Sequence, residues 1–161
     1  MRHRPGIVSG VLLLASHVAM ADPCHVTIES NDLMQFTQRQ LTVPASCAEV
    51  AVTLRHIGTL PAKVMGHNWV LARTSDVAAI ASAGVSAGFA HAFQPPGDKR
   101  IIAATGIVGG GESATVKFSA AALQPGADYT FFCSSPGHTS IMRGQFVFGE
   151  PPGRLASSSG K

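Results

Sequence analysis

Between His25 and Gly149 one pattern keeps returning: a short run of alternating apolar and polar residues, then a break at glycine, proline or a polar pair. A period of two is the period of a β-strand, because successive side chains point to opposite faces. In "VAVTLRHI", Val50, Val52 and Leu54 share one face, and Ala51, Thr53 and Arg55 the other. "SATVKF" alternates as cleanly, with Ala114, Val116 and Phe118 set against Ser113, Thr115 and Lys117. "HVTIES" pairs Val26 with Ile28, and "NWVLAR" pairs Trp69 with Leu71. "DYTFFC" aligns Tyr129, Phe131 and Cys133, and "GQFVFG" aligns Phe146 and Phe148. Turns are expected at the glycine run 109–111 and at Gln124-Pro125-Gly126. Strands this short, each with an apolar face, bury those faces by stacking two sheets.

One segment breaks the rhythm. "SDVAAIASAGVSAG", residues 75–88, spaces Val77, Ile80, Ala81 and Val85 along one side of a helix, with Ser75 placed as its N-cap. The expected fold is therefore all-β: a Greek-key β-sandwich or barrel of about eight strands with one short helix inserted. The chain has no internal repeat.

The two ends read differently. "MRHRPGIVSGVLLLASHVAMA" has a basic start, an apolar run and a small-residue end at Ala19-Met20-Ala21. It is expected to be a secretory signal peptide, residues 1–21, cut after Ala21 on export. Its apolar run is too short to cross a bilayer, which takes about 20 apolar residues, and no later segment reaches that length. Residues 22–149 are expected to form one domain, and residues 150–161, rich in Pro, Gly and Ser, a disordered tail. Cutting after Ala21 removes Arg2 and Arg4 and lowers the formal charge from +3 to +1. No cluster of Lys and Arg is left to bind nucleic acid.

In an oxidising compartment a disulfide is expected between Cys24 and Cys47, each beside an expected strand. Cys133 is then left over. It opens the loop of "FFCSSPGHTSIMRG", where His138 and Met142 follow across a turn at Pro136-Gly137. A loop of this length brings a thiolate, an imidazole and a thioether together. A further donor is needed, and "MGHNW" offers one: His67 shares the inward parity of Trp69 and Leu71. Two His and one Cys with a weak axial Met are the donor set of a blue-copper electron-transfer site, and the Gly66 carbonyl could add a fifth contact. A tetrahedral zinc site, a Cys–His nucleophile and an unligated buried thiol are the alternatives that these residues leave open.

"MGHNWVL" and "FFCSSPGHTSIMRG", with "NDLMQF" at 31–36 and the Cys24/Cys47 pair, resemble the azurins, bacterial periplasmic blue-copper proteins of the cupredoxin type. The resemblance runs through residues 22–149 and implies a cupredoxin domain holding one type 1 copper ion. It implies Gly66, His67, Cys133, His138 and Met142 as copper ligands. Asn68 would tie the ligand loops together, and Trp69 would be buried in the core. His56 continues the inward face of Val50, Val52 and Leu54; we read it as a core histidine, although the azurins have a histidine near the copper there that sometimes responds to pH.

The resemblance also implies an apolar partner patch around the exposed copper histidine, made of Met34, Leu60, Val64, Met65, Val85, Pro136, Gly137 and Ile141, with Ser135 among them. It implies a monomeric one-electron shuttle, not an enzyme, whose redox partners are a c-type cytochrome or a respiratory reductase. The chain departs from the family at Ser135, where azurins usually carry a large apolar residue. That serine is expected to lie beside the exposed edge of the site and let water approach. Two further classes remain: a copper-delivery protein, separated from a shuttle by how readily it gives up metal, and a disulfide-stapled adhesion module, against which the inward His67 speaks.

Overall fold

The computed structural model describes residues 22–149. The expected signal peptide (1–21) and tail (150–161) lie outside the described residues. Nine strands form two sheets. The first joins β1 (His25–Asn31), β2 (Gln35–Phe36), β4 (Glu49–His56) and β7 (Ser113–Ser119) in the order β2-β1-β4-β7. The second joins β3 (Gln40–Val43), β5 (Val70–Arg73), β6 (Ala103–Ala104), β8 (Tyr129–Phe132) and β9 (Arg143–Phe148) in the order β3-β9-β8-β5-β6. The chain crosses between sheets repeatedly, so β1 lies parallel to β4 and β3 parallel to β9, while the other pairs are antiparallel. This is the expected β-sandwich.

Its core is the set of inward phases read from the sequence. Ile28, Val50, Val52, Leu54, Trp69, Leu71, Tyr129, Phe131, Cys133 and Phe146 are all buried in one cluster between the sheets. Trp69 stacks on Phe131 and meets Phe146 edge-on. Its indole Nε1 has no hydrogen-bond partner, so the centre of the cluster is apolar throughout.

The opposite face of the second sheet is covered as well. The helix α2 (Val77–Ala87) lays Val77 and Ile80 on Val70, Ala72 and Phe132. Every residue of "YTFF" in β8 is therefore buried. The helix begins one residue later than the Ser75 cap would place it: Thr74–Asp76 form a 3₁₀ turn, and Asp76 stands at the N-cap without a side-chain cap bond. A single-turn helix, α1 (Ala62–Met65), has no counterpart in the sequence reading.

Cys24 and Cys47 form the expected disulfide, which staples the start of β1 to the turn before β4. β1 and β4 then run side by side, and their far ends, Asn31 and His56, arrive together beside His67.

Candidate metal centre

Three segments supply the site. His67 is fixed by a bridge to Val108, its N–H donating to the Val108 carbonyl at 3.0 Å and its carbonyl accepting at 2.8 Å. Gly66 before it is buried, and a Cβ there would strike the Ala62 carbonyl and the Ile107 side chain. Close approach, not an unusual backbone angle, is what requires glycine there. Cys133 follows β8 on the inward phase.

The loop from Cys133 to Met142 closes on itself. The Cys133 N–H donates to the Met142 carbonyl at 2.9 Å, the Met142 N–H to the His138 carbonyl at 2.8 Å, and the Thr139 hydroxyl to the Cys133 carbonyl at 2.8 Å. Gly137 takes the positive φ of 82° that the turn needs.

These segments bring one sulfur and two imidazoles together. The donor atoms of His67, Cys133 and His138 lie within 4.8 Å of one another. Cys133 Sγ is 3.9 Å from His67 Nδ1 and 3.7 Å from His138 Nδ1. His67 Nε2 lies 2.9 Å from the Asn31 carbonyl oxygen, which can only accept. The proton therefore sits on Nε2, and Nδ1 turns a bare lone pair toward the sulfur. Burial pulls the His67 pKa down to about 4 and lowers that of His138 as well, so both rings are neutral ligands near neutral pH. Burial pushes the Cys133 thiol up, partly offset by the Asn68 N–H and by the hydroxyl and N–H of Ser135, all close to the sulfur. A bound cation reverses that balance and deprotonates the thiol. The donor set fits a copper ion.

The neighbours hold this geometry. Asn68 joins the two ligand segments: its side-chain carbonyl accepts the Ser134 N–H at 2.8 Å, and its amide nitrogen donates to Ser134 Oγ and to the Ala92 carbonyl, both at 2.7 Å. His56 is buried, its ring 4.8 Å from that of His67 and its Nε2 3.6 Å from Asp32, too long for a hydrogen bond. Asp32 is occupied elsewhere, accepting the N–H groups of Thr59 and Leu60. Met142 is fully buried in the core cluster that also holds Cys133.

His67 is buried, whereas His138 is half-exposed. Of the expected patch, the side chains of Leu60, Val64, Val85 and Ile141 are exposed, as are Pro136 and Gly137; Val64 and Pro136 share a hollow with His138, and Val85 shares another with Pro136 and Gly137. Met34 and Met65 are half-buried. Phe89, absent from the sequence reading, is exposed and lines a hollow of about 160 Å³ with Val64, Pro136 and His138. Its pattern in "GFAHAF" carried no signal, because the 3₁₀ turn that presents it has no periodicity.

Ser135 differs from expectation. It is 5% exposed, not at a wet edge, and its hydroxyl donates to the Gly66 carbonyl at 2.9 Å. The loop bonds turn its side chain inward, toward the other ligand segment.

A fold of two stacked sheets with a His₂Cys cluster at one end, two of its members buried and the third half-exposed, defines a cupredoxin. The family model for copper binding proteins of the plastocyanin/azurin family matches residues 22–149, and the chain belongs to that family. Azurin iso-2 of Methylomonas sp. (strain J) is 51% identical over 121 residues, covering 75% of this chain and 94% of the relative. Azurin of Bordetella pertussis is 44% identical over 140 residues, covering 86% and 93%. The solved structure of the Methylomonas azurin Az-iso2 superposes with a TM-score of 0.76 at 50% identity, over 79% of this chain and 98% of that one. The protein is a blue-copper electron carrier with one type 1 copper, not an enzyme.

Proposed function

We propose that this carrier is exported to the periplasm and passes single electrons between redox proteins that dock on the apolar rim around His138. The observation that supports this most is the asymmetry of the two imidazoles. His67 is locked in the interior by the Asn31 carbonyl, while His138 is half-exposed beside the exposed apolar side chains of Val64, Phe89 and Pro136. Such a surface suits brief, weakly bound encounters. A c-type cytochrome or a respiratory reductase is the partner class that the family likeness favours.

Copper bound here supplies a one-electron Cu(II)/Cu(I) couple. The chain does the rest. Cys133, His67 and His138 would hold the ion as its main donors, with the Met142 thioether and the Gly66 carbonyl as weaker ones. The bonds within the Cys133–Met142 loop and the Asn68 bridge hold the donors still, so little rearrangement accompanies a change of charge. The buried surroundings of the sulfur keep bulk water away from it.

Two measurements test this reading. Cu(II) added to purified residues 22–149 is expected to give an intense blue thiolate band at one equivalent; a colourless protein removes the proposal. Stopped-flow mixing with a reduced c-type cytochrome is expected to bleach that band. Loss of copper to an apo-acceptor faster than electron exchange would mark a delivery protein instead.

A further inference from the structure

We propose that Ser135 tunes the metal site through the Gly66 carbonyl: by donating to that oxygen, its hydroxyl weakens it as an axial donor and tilts the site toward Cu(I) and away from harder cations. The inference rests on the copper reading above and concerns one residue in it.

Ser135 and Gly66 belong to different segments, yet the Ser135 hydroxyl meets the Gly66 carbonyl oxygen at 2.9 Å. Both residues are buried. An O–H···O=C bond shielded from water is stronger than one at the surface, and it draws electron density from the oxygen. Carbonyl oxygen is a hard donor that suits hard, highly charged cations, while soft sulfur suits Cu(I). Weakening the oxygen therefore costs Cu(II) and Zn(II) more than Cu(I). No other side chain among the described residues donates to the Gly66 carbonyl.

The hydroxyl has a second acceptor within reach, the Cys133 sulfur. It carries one hydrogen, and the 2.9 Å contact assigns that hydrogen to Gly66. The sulfur has the Asn68 and Ser135 N–H groups instead.

The test compares Ser135→Thr with Ser135→Val, which have the same shape and differ in the hydroxyl. The hollow lined by Phe89, Phe93 and Pro136 adjoins Ser135 and gives room for the added methyl groups. Both variants must bind copper and turn blue; if the wild type itself stays colourless, the copper reading fails and not this inference. In the metal-free proteins, the Gly66 carbonyl carbon is followed by NMR. It is expected to shift upfield in Ser135→Val and to stay near wild type in Ser135→Thr. With copper bound, Ser135→Val is expected to raise the Cu(II)-to-Cu(I) affinity ratio roughly fivefold, about 40 mV lower in potential at 59 mV per decade. Its zinc affinity should rise by a similar factor, roughly fivefold, the scale of one hydrogen bond. Equal potentials and equal zinc affinities in the two variants overturn the proposal. So does an unmoved Gly66 carbon accompanied by a shifted blue band, because the hydroxyl would then serve the sulfur.

Discussion

The two ends of β1 treat cysteine sulfur in opposite ways. At one end Cys24 is spent in a disulfide with Cys47. At the other, Asn31 presents its carbonyl to His67, whose bare nitrogen faces the free thiol of Cys133. The seven residues of β1 put about 23 Å between these ends. β4 spans the same gap, from near Cys47 to His56. One end holds the chain closed and has no part in the chemistry; the other holds donors apart and ready. The difference shows that a shared element in the sandwich can carry two separable tasks, provided the core between them is rigid.

The largest effect comes from exchanging the roles of the two sulfurs. Cys133→Ser is expected to abolish the blue band entirely, since the colour arises from the thiolate. The double substitution Cys24→Ser with Cys47→Ser is expected to cost about 2–5 kcal/mol in stability and to leave the band in place. Urea melts and absorption spectra of both proteins check this; a colourless double variant would show that the ends are coupled.

Acid down to about pH 4 should act through the histidines of the metal end. In the metal-free protein, burial holds His67 neutral down to about pH 4, while in the unfolded chain a histidine protonates near 6.5. The unfolded state therefore binds more protons across that window, and stability falls as pH drops through it; His138, also lowered by burial, acts in the same sense. Urea midpoints at successive pH values between 7 and 4 should decline, with the fully present stability above pH 6.5. A flat profile would mean that the ring is not buried neutral.

Smaller again is the effect expected at Met142, the thioether proposed as a weak donor. Met142→Leu is expected to keep the colour and raise the potential by roughly 60 mV, one decade in relative affinity for a one-electron couple. An unchanged potential by voltammetry would place the thioether outside the site. Least disturbing to the protein is Val64→Lys, on the exposed rim beside His138. It should leave spectrum and potential unchanged and slow exchange with a cytochrome roughly tenfold, about 1.4 kcal/mol for desolvating the charge on contact. Unaltered rates would mean that electrons leave by another face.

Much of this was legible in the sequence, for physical reasons that can be named. β4 and β7 alternate because one face of β4 is buried and one face of β7 is half-buried against the same core, and a period of two records that directly. β5 and β8 showed only half their burial: Val70, Ala72 and Phe132 face α2, and burial on that side depends on a helix packed from elsewhere in the chain. β2 and β6 have two residues each, too few to carry any period; their partners create them. The donors were readable because Cys, His and Met at these spacings are rare in a chain with three cysteines. The direction of Ser135 was not, because a loop has no parity and only its bonds decide which way a side chain turns.

Trp69 carries a consequence of a different kind. It is the one tryptophan of the chain, and its indole nitrogen finds no partner in the core. An excited indole lowers its energy when nearby dipoles can reorient, and here aromatic and aliphatic side chains surround it. Its fluorescence should therefore sit at the short-wavelength limit for tryptophan and show vibrational structure, as in a hydrocarbon solvent. The first water molecule to enter the sandwich would shift the emission to the red. The protein thus carries an internal hygrometer, read by light.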